Sequence, residues 1–181
     1  QHGAGKFSTY HVFRWHQGKL LGIAQPDAIA LSQLVGYETP KQKLLQNTQF
    51  LLARQPALNA LLYGSRGSGK SSLVKAIANE YQTQGLRLIE VEKSQLHDLA
   101  NILDQVRDQP QFFIIFVDDL SFEEDDNDFK ALKVVLEGSA TARAKNVVVY
   151  ATSNRRHLIR EFFDDRPRPR DADEIHAWDT V

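Results

Sequence analysis

Residues 64–71, Gly64-Ser65-Arg66-Gly67-Ser68-Gly69-Lys70-Ser71, satisfy the pattern G-x-x-x-x-G-K-[ST] at every fixed position. An apolar run, Leu58 to Tyr63, leads into this stretch, and Val74, Ile77, Ala78 and Tyr81 beyond it form one helical stripe closed by Gly85. A phosphate-binding loop needs this strand, loop and helix setting. Its glycines let successive backbone N–H groups turn inward around a phosphate, and the helix N-terminus adds its positive end. Gly64, Ser65, Arg66, Gly67, Ser68, Gly69, Lys70, Ser71 and Ser72 are therefore expected to wrap a nucleotide's phosphates. Lys70 is expected to reach the β- and γ-phosphates, and the Ser71 hydroxyl to ligate Mg2+. A glycine-rich turn that binds nothing is the competing reading, and the agreement of motif with context outweighs it.

Outward from the loop, strand-like and helix-like segments alternate. Leu58–Tyr63, Leu86–Val91, Phe112–Val117 and Val147–Thr152 are short and apolar throughout, as suits strands of a parallel sheet covered on both faces. Leu96, Leu99, Leu103 and Val106 mark a second helix after Ser94 as its cap, and Phe129, Leu132, Val135 and Leu136 mark a third, stopped by Gly138. Upstream, Thr39, Pro40 and Gln42 read as N-cap, first helical residue and capping-box partner. That helix carries Leu44, Leu45, Thr48, Leu51 and Leu52 and ends at Gln55-Pro56. Tyr10–Trp15 and Lys19–Ala24 flank His16, Gln17 and Gly18 and predict a hairpin.

Two further segments carry chemistry. The strand Phe112–Val117 ends in Asp118, which is expected to hold Mg2+ through water. Asp119 follows, where a glutamate would polarise the attacking water. With the shorter side chain, either Asp119 works through a second water, or Glu123 is brought in from the next loop, or hydrolysis is slow. The fourth strand runs out through Ala151-Thr152-Ser153 into Asn154, a candidate for contact with the γ-phosphate or the lytic water. No N-K-x-D sequence is present, which argues against guanine specificity.

Composition bounds these readings. With 181 residues, Lys+Arg 22 against Asp+Glu 23 and a formal net charge of -1, the chain is one ordinary globular domain without the global basic charge of a dedicated nucleic-acid binder. Cys 0 excludes disulfides, thiolate zinc sites and a cysteine nucleophile. No apolar run approaches the roughly 20 residues that cross a bilayer, so no membrane is expected and the location is expected to be cytoplasmic. The histidines show no ligand spacing. Glu123 to Asp126 read as a solvated loop, and the Arg-Pro alternation from Arg166 to Arg170 as an extended segment. The expected division is an N-terminal extension over 1–33, a nucleotide-binding core over 34–165 and a flexible segment over 166–181.

In that order and spacing, GSRGSGKS, FFIIFVDD and YATSNR resemble Walker A, Walker B and sensor 1 of an AAA+ ATPase, an α/β P-loop fold whose parallel sheet is flanked by helices. Leu34-Val35-Gly36-Tyr37 resembles the loop that flanks adenine there, which implies Val35 and Gly36 at the base. More narrowly, GYETPKQKLLQNTQFLL, NALLYGSRGSGKSSLVKA, LRLIEV, DDLSFE and YATSNRRHL resemble the bacterial AAA+ family designated domain of unknown function 815. The resemblance implies ATP and Mg2+ as cofactors and Lys70, Asp119 or Glu123, and Asn154 as the catalytic set. It implies a homo-oligomer closed through the ATP site and a protein or nucleic-acid client. It also implies a further strand, an arginine finger and a helical lid beyond Val181, so the chain is expected to be truncated before the lid. Arg155, Arg156 and Arg166 are the nearby finger candidates, against the plainer reading of solvated surface arginines. A nucleotide-gated binding module with little hydrolysis is the alternative to an active ATPase.

Overall fold

A computed structural model describes residues 2–34, 38–64, 69–120, 130, 132–134, 136, 144–154 and 174–178, and structural statements concern those residues. The expected hairpin is present as β1 (Val12–His16) and β2 (Lys19–Gly22), paired antiparallel with Trp15 opposite Leu20. Gln17 and Gly18 join them with φ of 49° and 77°, the pair of positive values that matches a two-residue turn to the strands' twist. Gly18 supplies one of these without steric cost.

The remaining strands are β3 (Asn59–Tyr63), β4 (Leu86–Val91), β5 (Phe112–Leu120), β6 (Val147–Ser153) and β7 (Glu174–Trp178). With β1 and β2 they form a seven-stranded sheet in the order β2-β1-β4-β5-β6-β3-β7. The pairs β1–β4, β4–β5, β5–β6 and β6–β3 are parallel, so the C-terminal ends of β3, β5 and β6 lie along one rim. The two outer strands are antiparallel to their neighbours.

Both faces of the sheet are buried, which explains the uninterrupted apolar runs. Phe112, Ile114 and Phe116 pack on α2 (Glu38–Leu52) and α3 (Lys70–Glu80) with Leu44, Leu51, Val74 and Ile77. Phe113, Ile115 and Val117 pack on the opposite face against Leu99, Ile102 and Val106 of α4 (Leu99–Val106) and against Leu132. Residues 130, 132–134 and 136 are helical where the third stripe was expected, and Phe129, Val135 and Gly138 lie outside the described residues.

Polar groups fasten these layers at few points. The Tyr150 hydroxyl on β6 is fully buried and meets Thr48 Oγ1 at 2.8 Å and Asn47 Nδ2 at 3.0 Å. Asn47 also donates to Leu58 O and accepts from Leu58 N–H, so α2 is tied to β3 and β6 through one side chain. On α3, Asn79 Nδ2 donates to the carbonyls of Asp27 and Ile29, and Lys75 pairs with Asp27 at 3.1 Å, holding the linker after the hairpin.

The structure differs from the sequence reading in four places. A helix α1 (His2–Thr9) precedes the hairpin although Gly3 and Gly5 disfavour it. Packing overrides propensity there: Phe7 is 2% exposed, stacks edge-on against Phe13 and Phe113, and its carbonyl accepts from Arg87 Nε. Ser94 does not cap a helix, because a 3-10 turn over Lys93–Asp98 precedes α4 and Asp98 is its N-cap. The Asp98 carboxylate takes the Trp15 indole N–H at 2.9 Å instead of a helix amide. α2 begins at Glu38, one residue before the expected Thr39 cap. Finally, Glu174–Trp178, expected in a flexible segment, forms β7 and covers β3, which is therefore not an edge.

Burial pushes the Tyr150 hydroxyl up to about 12, against smaller opposing effects of its bonds to Thr48 and Asn47. A folded-state value above the unfolded one stabilises fully below about pH 10, and this contribution is lost as pH rises towards 12. Urea denaturation between pH 10 and 11.5 is expected to show stability falling by about 1.4 kcal/mol per pH unit from this group. Tyr150→Phe should remove that part of the slope, and an unchanged slope would contradict the assignment.

Candidate functional site

The rim formed by β3, β5 and β6 gathers the residues that the motifs singled out, as expected where parallel strands end. Gly64 leaves β3 with its N–H donated to Ser153 O at 3.2 Å. Gly69 caps α3 with φ of 91°, a left-handed conformation that glycine adopts freely. Lys70 is the first residue of α3 and is 9% exposed. Its Nζ donates to Gly64 O at 3.1 Å and to Asn154 Oδ1 at 3.3 Å. Ser71 Oγ donates to Asp118 Oδ1 at 2.7 Å, and Ser72 is half-buried in the same helical turn.

A β-bulge places the two acids. Val117 pairs with Ala151 but Leu120 pairs with Ser153, so β5 carries one residue more than β6 over this interval. Strict alternation after Val117 would send Asp119 to the face that packs on α4. Instead Leu120 takes that buried face at 2% exposure, and Asp118 and Asp119 are both exposed. Asp119 takes up the extra residue with φ of 62°. Thr152, opposite the bulge, accepts the Asp119 N–H at 2.8 Å and donates its hydroxyl to Asp118 Oδ1.

Asn154 joins the two halves. Lys70 can only donate and the Asp119 carboxylate can only accept, so the amide's orientation is fixed by chemistry: Oδ1 takes Lys70 and Nδ2 gives to Asp119 Oδ1 at 2.9 Å. Asp118 and Asp119 also line an open cavity of about 620 Å3 with Arg14, Lys75, Glu90 and Lys93.

The donor set suits Mg2+. That ion is held by one or two protein oxygens and keeps waters and phosphate oxygens in its other positions. Ser71 Oγ and Asp118 Oδ1 converge at 2.7 Å, and Asp118 is open to solvent. Among the described residues no group of three or more His, Cys, Asp or Glu forms an all-protein metal cage.

Of the residues expected in the site, Gly64, Gly69, Lys70, Ser71, Ser72, Asp118, Asp119 and Asn154 are placed by the structure. Ser65, Arg66, Gly67, Ser68, Val35, Gly36, Glu123, Arg155, Arg156 and Arg166 lie outside the described residues. Thr152 escaped the sequence reading. Its only local signal is a polar residue near the end of an otherwise apolar strand, and its partners are 33 and 34 residues away.

A family model described as protein of unknown function (DUF815) matches residues 8–181. The large subunit of replication factor C from Staphylothermus marinus is 38% identical over 65 residues, which make up 35% of this chain and 15% of that protein. The chain thus spans a small part of that relative's length. Among solved structures, AMPPCP-bound DnaA from Aquifex aeolicus matches with TM-score 0.48 at 15% identity, over 76% of this chain and 48% of that one. DnaI matches with TM-score 0.47 at 17% identity, over 71% of this chain and 73% of that one.

The positive φ at Asp119 reverses an ordinary preference. In a regular strand alanine is favoured over glycine by roughly 0.5–1 kcal/mol, whereas left-handed backbone costs a non-glycine residue roughly 1–2 kcal/mol. Asp119→Gly is therefore expected to be more stable than Asp119→Ala by about 1 kcal/mol in urea denaturation. The opposite order would mean that the bulge does not hold Asp119 in this conformation.

Proposed function

The chain belongs to the DUF815 family and has an AAA+-type P-loop fold, and from that premise we propose that it binds ATP with Mg2+ and hydrolyses it to remodel a macromolecular partner. One observation carries the reading. Ser71 and Asp118 converge at 2.7 Å beside Lys70, while Asn154 bridges Lys70 to Asp119, so phosphate, metal and water groups share one rim.

Lys70 would exchange its contacts with Gly64 O and Asn154 for phosphate oxygens, with the α3 N-terminus behind them. Ser71 and Asp118 would hold Mg2+, which when bound neutralises phosphate charge. Asp119 would direct the attacking water through its carboxylate, and Asn154 would orient that carboxylate or the γ-phosphate. This work is positioning and electrostatics, as phosphoryl transfer requires. Glu123 remains the alternative acid. We place the core at residues 34–165, with the first 33 residues extending its sheet through β1 and residues 166–181 as a C-terminal segment that adds β7 to the same sheet.

The proposed partners are further copies of this chain across the ATP site, one of which supplies an arginine, and a protein or nucleic-acid client. The stretch shared with a replication factor supports a macromolecular client. No helix among the described residues is long and apolar enough to cross a membrane, and we propose a cytoplasmic location. A second reading, a nucleotide-gated binding module with slow hydrolysis, is favoured by the bond from Asn154 that already engages the short Asp119 carboxylate at 2.9 Å.

Turnover separates the two. Mg-ATP hydrolysis is expected to rise more steeply than protein concentration. Asp119→Asn should lower kcat by about 100-fold or more at unchanged ATP affinity. Equal turnover in Asp119→Asn would move the water-directing role elsewhere, and a uniformly negligible rate with ATP retained would establish the gated module.

A further inference from the structure

Thr152 lies on β6, is 2% exposed, and takes no part in the scheme above. We propose that it is a positioning residue whose hydroxyl locks the Asp118–Asp119 bulge, so that one buried side chain sets where both carboxylates stand. What the acids do rests on the nucleotide reading; the lock itself does not.

The hydrogen-bond roles are forced. The Asp119 backbone N–H can only donate, so the Thr152 oxygen accepts it at 2.8 Å, and the single hydroxyl proton then goes to Asp118 Oδ1. Without that oxygen the Asp119 amide has no ladder partner, because the extra residue of a bulge is left unpaired. The left-handed conformation of Asp119, with φ of 62°, needs such an anchor to persist. Burial of Thr152 keeps water from competing for the same two bonds.

The consequence for the site is specific. Asp118 Oδ1 receives hydrogen bonds from both Ser71 and Thr152, which fix its distance from α3. Asp119 stands beside Asn154 because its own backbone is pinned to the strand that ends in Asn154. Releasing the lock would let the bulge relax towards regular alternation and turn Asp119 away from the rim. Serine preserves the hydroxyl, whereas valine preserves the shape and removes both bonds.

The test compares Thr152→Val and Thr152→Ser in the full chain, with the fold checked by circular dichroism. Amide exchange at the Asp119 N–H, read by NMR without nucleotide, is expected to accelerate about tenfold or more in Thr152→Val and to stay near wild type in Thr152→Ser. ATP affinity in EDTA should be equal in all three proteins, and kcat should fall about 10–100-fold in Thr152→Val alone. Should Thr152→Val fail to fold, Thr152→Ala carries the same comparison. Unchanged exchange in Thr152→Val, or a serine variant as impaired as the valine one, overturns the lock. If the wild type hydrolyses no ATP, the ATPase reading falls, and the exchange arm alone decides for or against the lock.

Discussion

β5 must satisfy two opposed demands within nine residues. Through Val117 it is buried on both faces, where every side chain is apolar and alternation sends successive residues to opposite layers. Immediately afterwards it presents two adjacent carboxylates to the same open rim. Regular pleating cannot do this, because Asp119 would face the α4 layer, where an unpaired carboxylate is costly. The bulge removes the conflict, and the bonds among Thr152, Asp118 and the Asp119 amide close it.

Strand order then determines what those acids meet. Because β6 lies between β5 and β3, Thr152 and Asn154 stand between the acids and Gly64 at the end of β3. Each strand along this path is held to its neighbour by more than ladder bonds. Asn59 Oδ1 on β3 accepts the Val149 N–H on β6 at 2.8 Å, and Tyr150 is fastened to α2 from the opposite side. The Ser71–Asp118 bond ties α3 to β5, on which the helix also packs. Side chains from β5, from the end of β6 and from α3 thus converge on the rim beside the backbone of Gly64.

Much of this was readable locally. The apolar runs, the α3 stripe and the hairpin turn each declare themselves within a few residues, and the structure has a strand, helix or turn at each. The features that were missed depend on distant partners. α1 is held by Phe13, Phe113 and Arg87, and overrides two glycines. Asp98, rather than Ser94, precedes α4 because a 3-10 turn intervenes, and its carboxylate serves Trp15. β7 has a short sequence, Glu-Ile-His-Ala-Trp, with little strand signal, and gains its place by pairing with β3. Thr152 is the clearest case: a bulge is a mismatch of register between two strands, and neither strand's sequence states it alone.

The central proposal is that this rim holds a nucleotide's phosphates and their Mg2+. Equilibrium binding of ATP, in Mg2+ and in EDTA, to the wild type and to Lys70→Ala tests it most directly. The account predicts measurable ATP binding that weakens in EDTA and is lost in Lys70→Ala. No binding at millimolar ATP, or binding indifferent to both Lys70 and Mg2+, would contradict it.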